Sequence, residues 1–160
     1  MLPITHIVLG FIFSAVLFFI FPEINLLEAG IIFLSSFLID IDHYIYYVYK
    51  KKDLSLKNAY SWFIKKKAYF DTLSKEQRKK YSSGSFLFLH GIETLIILFL
   101  LSFLLELSIL GFIAIGFSFH LITDWSVDRI YLRRLYKLSI IKDYINNKKL
   151  KNPEFIKKGV

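Results

Sequence analysis

SFLFLHGIETLIILFLLSFLLELSILGFIAIGFSFHLITDW, residues 85–125, decides the fold. As one straight helix it would be about 60 Å long at ~1.5 Å per residue, roughly twice the ~30 Å hydrocarbon core of a bilayer. It must therefore fold back, and Glu106–Ser108 is the only polar place for the turn. Two apolar segments result, and two more precede them. Leu2–Phe21 carries no formal charge and is interrupted only by Pro3 and His6. It lacks the basic n-region and small-residue cleavage site of a signal peptide, so a retained span is expected. Pro22-Glu23-Ile24-Asn25 supplies a turn, and Leu26–Tyr49 forms the second segment, with its carboxylates late. The expected fold class is all-α: four transmembrane helices running up-down-up-down, one domain over residues 1–160.

Composition agrees with a membrane protein. Hydrophobic residues make up 55% of the chain and the mean hydropathy is +0.49, against ~45–50% apolar residues in soluble domains. The absence of cysteine excludes disulfides and thiolate zinc sites. A net charge of +8 raises the question of nucleic acid, and the placement of the charge answers it. Eleven of the 21 Lys and Arg residues lie between Lys50 and Lys80, and the other ten between Arg129 and Lys158. Basic blocks flanking apolar segments point to membrane lipid head groups as partners, with no nucleic acid. The positive-inside rule then places the amino terminus, the 50–82 connection and the 129–160 tail in the cytoplasm of a multi-pass cell-membrane protein. Within the connection, Leu56, Ala59, Tyr60, Phe63 and Ile64 recur at helical spacing, with Lys57 and Lys65–Lys67 elsewhere on the wheel. That pattern predicts a short amphipathic helix at the membrane surface. Ser74 with Gln77 has the spacing of a capping box for a second one. Val127, Ile130, Tyr131, Leu135 and Leu138 form a further stripe among Arg129, Arg133 and Arg134.

The polar residues inside the apolar segments carry the chemistry. All four histidines, His6, His43, His90 and His120, sit in apolar surroundings, and Asp40, Asp42, Glu93 and Asp124 accompany the last three. Ionisable groups there cost several kcal/mol unless paired, ligated or hydrated. Taken singly, His6 fits an interfacial residue and Asp124 beside Trp125 a membrane boundary. Taken together, they do not. In an up-down-up-down bundle the starts of spans one and three and the ends of spans two and four share the cytoplasmic side, so all four clusters meet. His90 and Glu93 are spaced i, i+3, and His120 and Asp124 i, i+4, which puts each pair on one helix face. Asp42 points roughly 200° from Asp40 on a regular helix, so either the helix is irregular or Asp42 stands behind the ligands. The mixed N/O set favours a divalent metal: zinc first, with Mn²⁺ or Fe²⁺ as alternatives. Eight ligand-type residues suit two ions and are generous for one.

At these positions the chain resembles the YdjM-like family of membrane-bound metal-dependent hydrolases, itself distantly similar to zinc-dependent phospholipase C. Thr5-His6 with Gly10 matches the family's T-H-x-x-x-G start, and Asp40-Ile41-Asp42-His43 matches P-D-x-D-H with Ile39 in place of the proline. His120 to Asp124 matches the H-x-x-x-D close. The third element departs from the pattern: His90-Gly91-Ile92-Glu93 has a glutamate where a second histidine is usual and no arginine after the first. The resemblance implies an α-helical membrane hydrolase.

The expected activity is metal-dependent hydrolysis of a phosphoester or related bond in a lipid or amphiphilic substrate at the cytoplasmic leaflet. Asp42 and Glu93 are the expected proton acceptors, and Arg129 a candidate for holding a substrate phosphate. The competing expectation is a non-enzymatic divalent-metal-binding membrane protein, a transporter or a sensory or structural module. A transporter needs polar groups through to the far side, whereas Ser14–Phe21 and Leu95–Leu105 are almost purely apolar.

Overall fold

The computed structural model describes residues 3–74, 87–132, 138–141 and 144–145. The described residues form six helices and no strand: α1 (Pro3–Ile20), α2 (Leu26–Leu38), α3 (Ile41–Lys51), α4 (Leu56–Thr72), α5 (Ile92–Leu104) and α6 (Ser108–Leu132). The chain is therefore all-α. The expected Ser74–Gln77 capping box and the stripe beyond Leu132 extend outside the described residues.

Both expected turns form, and local chemistry explains each. Asn25 caps α2 by accepting from the Glu28 N–H at 3.0 Å, while the Glu28 carboxylate accepts from the Asn25 N–H at 2.8 Å. This reciprocal capping box starts α2 immediately after the 21–24 turn. At the other turn no glycine is present, and Glu106 adopts the left-handed conformation with φ 53°. The Leu107 N–H then reaches back to the Ser102 carbonyl at 3.1 Å, and Ser102 Oγ donates to the Leu107 carbonyl at 3.0 Å. A Schellman-type closure thus ends α5 and lets α6 run back along it.

α2 packs between α1 and α6, and α5 packs on the far side of α6. Two glycines set how closely α1 and α6 approach α2. A Cβ added to Gly10 would fall on Ser36 Oγ, and one added to Gly116 would fall on Ser35 Oγ and the Ile32 carbonyl. His6, Asp40 and His120 each lie four residues from this contact plane, one helical turn on. Small residues at the helix crossing therefore hold the candidate ligands at a common level. Phe13 stacks on Phe119 at 4.1 Å and pins α1 to α6 on the other side of the crossing.

Two helices, α1 and α6, are long and apolar enough to cross a membrane. α2 and α5 have 13 residues each, about 20 Å of helix, and are shorter than the expected spans. The second segment does not run unbroken from Leu26 to Tyr49: it breaks at Ile39–Asp40. There the Asp40, Asp42 and His43 N–H groups bond to the carbonyls three residues back, Phe37, Ile39 and Asp40. That tight turn changes the helical phase and starts α3 in a new direction.

α3 and α4 make a second packing unit. Tyr47, Ala59 and Trp62 are its buried core, with Tyr44, Tyr46, Val48, Phe63 and Tyr69 around them. On α4, Ala59, Trp62 and Lys66 are buried on the side facing α3, while Leu56 and Tyr60 of the expected amphipathic stripe stay exposed. Lys66 Nζ lies 5.0 Å from the Trp62 ring centre, so its charge is accommodated by aromatic faces.

Candidate metal centre

Counted from the far end of its helix, each ligand cluster lies twelve to fourteen residues along: Ile20 to His6, Leu26 to Asp40, Leu104 to His90 and Ser108 to His120. At ~1.5 Å per residue that is about 20 Å in every case. Four segments distant in sequence thus deliver their polar residues to one level. His6 comes from the first turns of α1, Asp40 and His43 from the α2–α3 break, His90 from the loop before α5, and His120 and Asp124 from the second half of α6.

The side chains converge on two carboxylates. Asp40 Oδ1 lies 3.4 Å from His43 Nε2, 3.4 Å from His90 Nε2 and 3.6 Å from His120 Nε2. Asp124 Oδ1 lies 3.2 Å from His6 Nε2, and its Oδ2 is 3.7 Å from His120 Nε2 and 3.9 Å from His90 Nε2. Ligand atoms ~2.0–2.2 Å from a tetrahedral zinc stand about 3.3–3.6 Å apart, close to these spacings. Three overlapping groups could each hold an ion: His6, Asp40 and His120; Asp40, His43 and His90; and His90, His120 and Asp124.

What stands behind the rings decides which nitrogen faces inward. His120 Nδ1 lies 2.8 Å from the Ser36 carbonyl, which can only accept, so Nδ1 carries the proton. His90 Nδ1 lies 2.9 Å from Asp42 Oδ2, which also accepts from the Leu89 N–H at 3.1 Å. Thr123 Oγ1 donates to the His120 carbonyl, which leaves it an acceptor for His6 Nδ1 at 3.5 Å. In all three rings Nδ1 is turned outward to an acceptor, and Nε2 turns toward Asp40 and Asp124. For His120 the consequence is sharp, because its Nε2 is buried and makes no hydrogen bond. A lone pair facing carboxylate oxygens at 3.6 and 3.7 Å is repulsive, and those distances are too long for a hydrogen bond from a protonated ring. A cation between them removes the conflict. The rings also brace one another, with His6 stacked on His120 at 3.9 Å and His90 edge-on to both His43 and His120.

The centre is closed on one side and open on the other. The side chains of His90 and His120 are fully buried and those of His6 and Asp124 nearly so, while Asp40 is 21% and His43 25% exposed. Phe63 of α4 stands edge-on to His43 at 5.2 Å and forms one wall of the opening.

Six of the eight expected ligands come together. The remaining two take other positions. Asp42 is buried behind His90 and orients its ring, the second of the two possibilities left by helix phase. Glu93 joins none of the groups. Its carboxylate accepts from Ser139 Oγ and from the Ile140 N–H at 3.0 Å, and so ties segment 138–141 to the start of α5. The i, i+3 pairing of His90 with Glu93 fails because α5 begins only at Ile92, leaving His90 in the bend before it. Arg129 is exposed in the last turn of α6. Sequence reading missed Ser36 and Thr123, whose oxygen atoms fix two of the rings; a serine or threonine has no signal for that role without its neighbours. No protein-family model, curated protein or solved structure matches the chain.

Proposed function

We propose that this chain is a membrane-embedded metal-dependent hydrolase whose centre is held by His6, Asp40, His43, His90, His120 and Asp124, with zinc the foremost ion. The observation that carries the proposal is the shared aim of the histidine Nε2 atoms, from separate segments, at the same two carboxylates. Hydrogen-bonded ring nitrogens behind a histidine–carboxylate set are the usual support of a metal site. Asp40 lies in two of the three overlapping groups, so the set accommodates one ion or two.

Membrane residence is supported by how little of the long helices is buried. Only 17% of α1 and 28% of the apolar stretch of α6 lie inside the protein. A soluble core helix would be mostly covered. α5, apolar along its length, has no buried residue at all, and apolar surface on this scale needs lipid around it. We therefore place α1, α2, α5 and α6 as four membrane helices, α2 and α5 reaching only as deep as the centre. The basic connection and tail put the centre toward the cytoplasmic side.

When bound, a divalent ion supplies Lewis-acid activation of water and of a phosphoryl or acyl oxygen. The protein's own residues do the rest. His6, His90 and His120 are oriented by their outward hydrogen bonds. Asp42 holds His90 through Oδ2 and is buried behind that ring, away from the opening, and Glu93 is engaged elsewhere. Asp40, at the exposed edge beside His43, is the carboxylate of the ligand set that an entering substrate meets first. The one-sided opening favours hydrolysis over transport and admits an amphiphilic phosphoester or related substrate from the leaflet. The resemblance to the YdjM-like family points the same way.

The test is release assays on phospholipids and polyprenyl phosphates with protein in nanodiscs, comparing wild type with His90→Ala and Asp124→Ala. Activity that follows metal content and vanishes in both variants supports the proposal. Full metal occupancy with no hydrolysis on any phosphoester or ester panel rejects the enzyme.

A further inference from the structure

We infer that the α3–α4 hairpin is a docking surface for anionic phospholipid head groups, placed at the open side of the metal centre. The inference rests on the membrane placement proposed above.

Part of the α4 stripe expected to meet lipid is occupied, because Ala59 and Phe63 pack with Trp62 on α3. The rest of it stays exposed. Leu54 is 74% and Leu56 69% exposed, and Tyr49 and Tyr60 are exposed beside them. Leu34 and Leu38 of α2 and Ile41 and Ile45 of α3 are exposed as well. Nothing among the described residues covers them. Lysines accompany them: Lys50, Lys52, Lys57, Lys65 and Lys67 are all exposed on the same hairpin.

Two of the nearby acids are already engaged. Asp42 is buried against His90, and Asp53 is enclosed by donors from Tyr47, Ser55 and Asn58. Large apolar and aromatic side chains bordered by lysines are the composition of an interfacial surface, with the rings at head-group depth and the ammonium groups meeting lipid phosphates. Lys52 Nζ, 4.9 Å from the Tyr49 ring centre, shows the pairing within one turn. Because His43 contacts Phe63 of the same hairpin, a head group captured here is delivered beside Asp40 and His43.

The chain has no cysteine, so single-cysteine variants carry one label each. Leu56→Cys and Tyr60→Cys report the exposed part of the stripe. Ser61→Cys, about 140° round the helix from Leu56, reports the opposite flank. Phe11→Cys, on the exposed face of α1, reports the membrane placement itself. Each is labelled with an environment-sensitive fluorophore in nanodiscs of phosphatidylcholine, with and without phosphatidylglycerol. The expected result is blue-shifted emission, quenched by spin-labelled lipid, at positions 56 and 60 but not 61. The quenching is stronger with phosphatidylglycerol, and a Lys52→Gln/Lys57→Gln/Lys67→Gln variant loses that difference. Water-like emission at 56 and 60 in both lipids, with Phe11→Cys quenched, overturns the docking surface and leaves the membrane placement intact. An unquenched Phe11→Cys overturns both. A phosphatidylglycerol preference that survives the triple substitution overturns the assignment to anionic head groups.

Discussion

His90 Nδ1 donates to Asp42 Oδ2 at 2.9 Å, joining residues 48 apart in sequence. The bond turns the other face of the ring toward Asp40 and Asp124, so Asp42 acts on the metal through His90. Asp42→Asn keeps an acceptor but loses the charge and weakens metal binding about tenfold; Asp42→Ala loses both and weakens it up to about a hundredfold. Competition with a chromophoric chelator measures each. Equal affinity in all three proteins would remove Asp42 from the site.

Glu93→Gln gives the opposite result. Metal affinity stays at the wild-type value, because Glu93 contacts Ser139 and Ile140 and none of the ligand set. The tail loosens instead, and limited proteolysis near residues 138–141 speeds up.

Gly116→Ala drives a methyl group into the Ile32 carbonyl and Ser35 of α2. An overpacked helix crossing costs about 1–3 kcal/mol, and His120 one turn away moves with it. Thermal stability and metal affinity should fall together. Gly30→Ala, which meets nothing within 4 Å, is the matched control: it leaves metal affinity unchanged and, inside a helix, adds up to about 1 kcal/mol of stability.

Acid should loosen the α3–α4 hairpin. The Tyr47 hydroxyl, then the Ser55 N–H and the Asn58 amide, hold the Asp53 carboxyl below its ordinary range. A carboxyl lowered in the folded state adds stability above its unfolded value, about 3.9 for Asp, and that stability is lost as pH falls through the folded value. Trp62 fluorescence in a Trp125→Phe background should therefore change below about pH 4. Asp53→Asn should show the loosened spectrum at neutral pH with no acid transition.

Much of the centre was legible in the chain because alternating helices bring every second end to one side. That alone placed His6, Asp40, His90, His120 and Asp124 together. Two facts were out of reach for the same physical reason. The break at Ile39–Asp40 shifts helical phase, so spacing left open whether Asp42 was a ligand or stood behind one. α5 starts after His90, so Glu93 does not share its face and finds partners in a remote segment that carries no motif. Trp62, outside the expected stripe of α4, is buried because it packs against Tyr47 on α3, a tertiary contact the local pattern does not carry. Four apolar segments were visible too, but the helical lengths of α2 and α5 depend on where the polar residues interrupt them.

The most direct test is metal content by mass spectrometry of protein purified without chelator and dialysed against zinc. Wild type and His120→Ala are compared, with Glu93→Gln as a control. The account predicts one or two equivalents per chain in wild type and Glu93→Gln, and a clear loss in His120→Ala. Equal, negligible metal in all three would contradict it.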